Sequence, residues 1–335
     1  MAMSLQKTCQ TEWGLNVTLT TRRDALLMGG ALISTALAGC ADAQSPSPAS
    51  APGQKDELFK ISLAQWSLHR ALFADRNDPN HLPPLMFPLK ARRDFDIGAV
   101  EYVNTFYDGK ARDESFLSQL KSIADSEGVK SQLIMCDGEG QLGDPDAAAR
   151  TEAIENHHKW ADMAAYLGCK SIRVNAYSDG SFEDQQKYAA DGLTRLAEYT
   201  RQYNISVIVE NHGGWSSHGA WLAGLMRLAD HEFVGTLPDF GNFSYGDGAS
   251  YDPYLGVEEL MPYAHGVSAK SFGFNDNGDE SRFDYQRLLK IVLDSGFRGY
   301  IGVEYEGSDL SETEGILKTK ALLERLRDEL APQYL

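Results

Sequence analysis

A short apolar run followed by an amphipathic stretch recurs eight times between residue 58 and the end of the chain. The runs are Lys60–Trp66, Ala99–Val103, Ser131–Met135, Ser171–Val174, Ser206–Glu210, Val234–Asp239, Gly266–Lys270 and Tyr300–Glu304. Between them, residues 146–167 put Ile154, Trp160, Ala161, Ala164 and Leu167 near one helical face, and Gly168 follows as a stop. Residues 311–329 do the same with Ile316, Leu322, Leu323 and Leu326 behind a Ser311/Glu314 capping pattern. Helical spacing also covers 184–202 and 283–294. Strands that alternate with helices pair in parallel through right-handed crossovers. Eight such units over residues 58–330 close most simply into an α/β fold, a single (β/α)8 TIM barrel, with 331–335 left as a tail. No Gly-x-Gly-x-x-Gly turn follows the first run, so no nucleotide cofactor is expected.

The residues before the barrel read as an address. Thr21-Arg22-Arg23-Asp24 precedes an apolar run from Ala25 to Ala38, too short for a comfortable membrane span and suited to a signal segment. The paired arginines resemble a twin-arginine export signal, and Leu37-Ala38-Gly39-Cys40 resembles a bacterial lipobox with Cys40 as the lipidated residue. Residues 1–40 are therefore expected to be a signal segment and 41–57, rich in Ala, Ser and Pro, a linker. The expected place is the periplasmic side of a bacterial membrane, held only through a lipid at Cys40. Cys136 and Cys169 are flanked by apolar residues and read as buried thiols.

Charge narrows the partners. Lys plus Arg number 31 against 48 Asp plus Glu, a formal net charge of −17. Such a surface repels phosphate backbones, so no nucleic-acid partner is expected.

A TIM barrel carries its chemistry where its strands end. Three carboxylates, Glu210, Asp239 and Glu304, end the fifth, sixth and eighth runs. Gathered at one mouth they would repel, and a divalent cation relieves that repulsion with oxygen ligands suited to Mn or Mg, Zn being possible. The alternative is an ion-pair network in which Lys270, Arg173 and His212 neutralise them. His157 and His158 lie mid-helix and read as a core and a surface histidine.

Glu210 in VIVENHGG, Asp239 in LPDFGNF and Glu304 in IGVEYEG resemble the xylose-isomerase-like barrel family, over roughly residues 58–330. That family includes sugar epimerases, sugar isomerases and endonuclease IV-type nucleases. In it a Glu, an Asp, a His and a Glu end strands five to eight and bind one divalent metal. Here GVSAKS places Ser268 at the histidine position, with Lys270 two residues on. The resemblance thus implies a metal held by Glu210, Asp239 and Glu304, completed by His212 or water. The departure leaves open a metal-free site with Lys270 as the cation.

The chemistry this implies is proton transfer beside the carbonyl of a sugar or keto-sugar, as in an isomerase or epimerase. Glu210 and Glu304 are the candidate bases, and His212 or Lys270 the candidate proton shuttle or carbonyl polariser. Trp66, His69, Arg173, Asn175, Asn211 and Asn242 are the candidate contacts to a small carbohydrate, and Trp215 and Phe243 offer further ring faces. The same site would suit a lyase or hydratase on 3-keto-glycosides, since no Lys/Arg cluster stands ready for a sugar phosphate. A third expectation is a catalytically inactive carbohydrate-binding lipoprotein, and an oligomer is compatible with all three. Nuclease members use several histidines, whereas these strand ends offer only His69 and His212.

Overall fold

Eight parallel strands form one sheet: β1 Lys60–Ala64, β2 Ala99–Val103, β3 Lys130–Met135, β4 Ser171–Val174, β5 Ser206–Glu210, β6 Val234–Leu237, β7 Val267–Ser271 and β8 Tyr300–Tyr305. The order is β6-β5-β4-β3-β2-β1-β8-β7. Parallel bridges Thr236–Ala264 and Asp239–Ser268 join the two ends and close the barrel. Closure is tight at Gly235, where a Cβ would stand 2.4 Å from the His265 ring and 2.6 Å from the Tyr263 carbonyl. The computed structural model describes residues 57–335 apart from Asp247. The expected signal segment 1–40 with Cys40, and the linker up to residue 56, lie outside the described residues.

The helices form as their sequences dictate. Asp146 caps Ala147–Leu167 by accepting from the amides of Ala148 and Ala149, and Gly168 ends it at φ 82°. Ile154, Trp160, Ala161, Ala164 and Leu167 are all buried, so the apolar stripe faces the sheet. The Ser311/Glu314 capping box is present at the start of Glu312–Tyr334. The main core lies between these helices and the outer face of the barrel. A smaller one fills the barrel interior with Ala64, Val103, Leu133, Met135, Ile208 and Leu237, and Trp66 and Phe106 pack on it.

Of the boundaries that differ from the sequence expectation, three have a visible physical cause. β1 stops at Ala64, and Gln65–Leu68 turn as a 3-10 helix. The Gln65 side chain takes over the ladder there, accepting from the Val103 amide at 2.9 Å and donating to Tyr107 at 2.9 Å. β6 stops at Leu237 because Pro238 has no N–H to pair. Residues 331–334 are not a tail but the end of the last helix. Leu330 is fully buried and Tyr334 donates to Asp294 at 2.7 Å, which fixes that last turn.

Candidate active site

Glu210, Asp239 and Glu304 meet at the C-terminal end of the barrel, each offering one oxygen within 4.8 Å of the other two. One oxygen of each accepts from a neutral donor. Asp239 Oδ1 accepts from the backbone amides of Gly241 at 2.8 Å and Asn242 at 3.0 Å, a turn that follows from Asp two residues before Gly-Asn. Glu210 Oε1 accepts from Asn242 Nδ2 at 2.9 Å, and Glu304 Oε2 from the Ser268 hydroxyl at 2.8 Å. Glu210 Oε2 and Asp239 Oδ2 remain buried without a hydrogen bond.

Two buried cations face these oxygens. Lys270 Nζ lies 3.5 Å from Glu304 Oε1, 3.4 Å from Glu306 Oε1 and 3.9 Å from Asp239 Oδ2, and it donates to Asn242 Oδ1 at 3.2 Å. Arg173 places Nε 2.8 Å from Glu210 Oε2, but the N–H is not aimed at that oxygen, so both atoms keep an unfilled valence. Its Nη1 donates to Asp137 Oδ1 at 2.7 Å. Burial, reinforced by the neighbouring charges of Glu210 and Glu304, holds the Asp239 carboxyl well above its ordinary range despite Lys270. Burial also works against the Glu304 charge, yet Lys270 and the Ser268 hydroxyl keep that carboxyl below its ordinary range. Among the described residues, Glu210, Asp239, Glu304, Glu306 and Asp137 outnumber Arg173 and Lys270.

A cavity of about 390 Å³ opens beside this cluster, lined by Trp66, Val103 and Met135 on one side and by Asp137, Arg173, Asn175, His212, Glu304 and Glu306 on the other. Asn175 Nδ2 donates to Asp137 Oδ1 at 2.7 Å, which turns its Oδ1 toward His212 Nδ1 at 3.0 Å. The network therefore puts the His212 proton on Nδ1 and leaves Nε2 as the basic nitrogen. Tyr177 donates to the His212 carbonyl at 2.9 Å and completes that wall. Below the cluster, Glu101 sits inside the barrel, accepting from Ser62 at 2.6 Å in space left by Gly302, whose Cβ would come within 2.7 Å of both carboxylate oxygens. Burial pushes the Glu101 carboxyl up to about 8.

Of the residues read from the sequence, Glu304, His212, Arg173, Asn175 and Trp66 reach the cavity, and Glu210, Asp239, Lys270 and Asn242 form the charged cluster behind it. Asn211 is committed to backbone, donating to the carbonyls of Asp239 and Asn242 and accepting from the Asp239 amide. His69 turns to the Trp66 carbonyl at 2.8 Å and stacks on that ring. Trp215 packs on Tyr245, and Phe243 is buried against Gly256. His157 is buried and His158 stacks on Tyr199, as their positions imply. Cys136 and Cys169 are buried free thiols. Glu306 and Tyr177 were missed. The signal for Glu306 was period-two alternation, which carries the inward face from Glu304 over Tyr305 to the next residue.

Residues 89–329 match the family described as xylose isomerase-like TIM barrel. The chain belongs to that family. A xylose isomerase-like TIM barrel protein of Mycobacterium smegmatis, in complex with magnesium, shares the fold at TM-score 0.60 and 16% identity, over 81% of this chain and 98% of that one. The 3-keto-D-glucoside 4-epimerase of E. coli does so at TM-score 0.61 and 13% identity, over 80% and 99%. In sequence, 77 residues are 32% identical to the C-glycoside deglycosidase alpha subunit of Arthrobacter globiformis, covering 21% of this chain. This chain spans only 22% of that relative's length.

The residues present fit a divalent cation. Three carboxylates converge, two of their oxygens are buried without a hydrogen bond and face only the Arg173 and Lys270 charges, and negative charge is in excess. The set departs from a four-ligand pattern at Ser268, whose hydroxyl is given to Glu304. What remains is a set of carboxylate oxygens, the donor type of Mg and Mn.

Proposed function

We propose that the protein moves a proton on the carbon next to the carbonyl of a keto-sugar or keto-glycoside. The observation that carries this reading is the buried convergence of Glu210, Asp239 and Glu304 beside a cavity that also presents His212. The fold likeness to a 3-keto-D-glucoside 4-epimerase supports it.

Glu304 and His212 do the proton work because they, unlike Glu210, line the cavity. Glu304 stays ionised under Lys270 and Ser268 and takes the proton. His212 Nε2, its tautomer fixed by Asn175 and Asp137, holds or delivers the second proton from across the mouth. β5 and β8 are separated by β6 and β7 on one side and by four strands on the other, so the two groups approach a ligand from different walls. Arg173 and Asn175 orient sugar hydroxyls, and Lys270 neutralises the carboxylates not engaged by substrate. A divalent cation held by Glu210, Asp239 and Glu304 supplies Lewis-acid stabilisation of negative charge on substrate oxygens.

The sequence likeness to a C-glycoside deglycosidase subunit favours a second outcome of the same first step. After the proton leaves the carbon beside the ketone, the C–H electron pair becomes a C=C bond. The C=O is restored as the bond to the aglycone breaks, and the aglycone leaves with a proton from His212 Nε2, which enters this step as the imidazolium and ends it neutral, while Glu304 keeps the proton it took. NMR of a 3-keto-glucoside incubated with the protein and Mn or Mg separates the outcomes. An epimer supports isomerase chemistry, and free aglycone with an unsaturated keto-sugar supports elimination. An unchanged substrate without exchange of its α-proton contradicts both.

A further inference from the structure

The cavity is two-sided in a way that a free sugar does not require. Its polar wall comes from the ends of β3, β4, β5 and β8, where Asp137, Arg173, Asn175, His212, Glu304 and Glu306 supply hydrogen-bonding groups at several heights. Its other wall is mostly apolar, with Met135 on β3, Val103 on β2 and Trp66 just after β1, and Thr105 supplies one hydroxyl there. From Trp66 a run of rings leads outward. Phe106 lies 6.1 Å from Trp66 between centroids, Phe73 lies 5.0 Å from Phe106, and Phe73 meets Trp66 edge-on at 6.2 Å. Trp66 and Phe106 are half-buried on the interior core, whereas Phe73 is 58% exposed. An exposed phenyl ring continuous with a cavity wall is an unpaired apolar surface at the place where a ligand would emerge.

Two observations choose the occupant. The phenylalanines bring no hydrogen-bonding group, and His69 beside them has turned Nδ1 to the Trp66 carbonyl, so a second sugar would find few partners for its hydroxyls. Among the described residues lining the cavity, Arg173 is the single Lys or Arg, and it is already engaged by Asp137 and Glu210, so an anionic group would meet Glu304 and Glu306 instead. Flat, uncharged, weakly hydrated ligand surface is what such rings take, in edge-to-face or offset contact.

Resting on the keto-glycoside reading above, we infer that the substrate is a neutral glycoside with an aromatic aglycone, the sugar against the polar wall and the aglycone on Trp66, Phe106 and Phe73. The sugar end would be common to many substrates. The ring run would set which aglycones are accepted.

The test is a matched series of 3-keto-glucosides carrying a phenyl, a methyl or a second glucosyl group, compared by kcat/KM. The phenyl compound should be preferred over the methyl one by about fivefold or more, the size of an aromatic contact. Trp66→Ala should bring that ratio close to one. Phe73→Ser, at an exposed position that puts folding at little risk, should lower it about twofold or more. Equal use of phenyl and methyl compounds, preference for the glucosyl compound, or a ratio that none of the substitutions changes would overturn the inference while leaving the proton-transfer reading intact. If no keto-glucoside reacts, that reading fails by itself. Titration calorimetry of unoxidised phenyl and methyl glucosides then decides the inference: tighter phenyl binding, lost in Trp66→Ala, upholds it, and equal binding overturns it.

Discussion

Lys270 and Glu304 are register partners on β7 and β8, and the lysine ammonium stands 3.5 Å from Glu304 Oε1 at the centre of the barrel mouth. Lys270 is 2% exposed and also faces Asp239 and Glu306, so its charge is shared among three acids rather than paired with one. The site is thus partly neutralised from within, and a divalent cation held there would act on the same oxygens as Lys270.

Lys270→Met removes that internal charge. Metal-free protein should lose about 3–5 kcal/mol, the usual result of stranding buried carboxylates. Addition of Mn or Mg should restore a large part of the loss, because the ion supplies the missing charge. Urea melts with chelator and with each metal check this. A variant equally destabilised with and without metal would show that the carboxylates do not share one cation site.

Asn175→Leu leaves Asp137 paired with Arg173 but removes the acceptor that holds the His212 proton on Nδ1. Activity on a keto-glucoside should fall about 10²-fold or more, chiefly in kcat, with the fold unchanged by circular dichroism. A change confined to KM would make Asn175 a substrate contact only.

Glu101 couples stability to pH. Its folded pKa of about 8 is raised above the unfolded value, by burial first and by the charges of Glu304 and Glu210, against the Ser62 hydrogen bond and Arg173. The folded chain therefore binds one proton more than the unfolded chain between the two values. Stability from this group is fully present below the unfolded pKa and is lost as pH rises through about 8, at a slope of about 1.4 kcal/mol per pH unit. Glu101→Gln, which keeps the neutral shape, should flatten the slope between pH 5 and pH 8 in denaturant titrations, at about that magnitude.

Ser311→Ala should cost about 1 kcal/mol by urea denaturation, because it removes the hydroxyl that accepts from the Glu314 amide and leaves the capping box only the bond from the residue-311 amide to the Glu314 carboxylate.

That capping box was legible because it is local, as was Gly168 at the end of its helix. The eight strand runs were legible because a parallel barrel strand is apolar on both faces, one toward the helices and one toward the interior. Glu210, Asp239 and Glu304 stood out by ending such runs. The end of β1 was not legible, since Gln65 imitates backbone through its side chain only after Val103 and Tyr107 are in place. Nor was the division of labour among the asparagines. Asn211, Asn242 and Asn175 look alike in sequence, and only the fold gives one to backbone, one to Lys270 and Glu210, and one to His212. Glu306 lies within reach of the alternation, one inward-facing position beyond Glu304, where the apolar run has already ended.

Solvent-deuterium incorporation into a 3-keto-glucoside, followed by NMR with Mn or Mg present, tests the central claim most directly. Wild-type protein should place deuterium on the carbon beside the ketone. Glu304→Gln should abolish incorporation, and Glu210→Gln should bind the metal more weakly and exchange more slowly. Exchange at the wild-type rate in both variants would contradict the account.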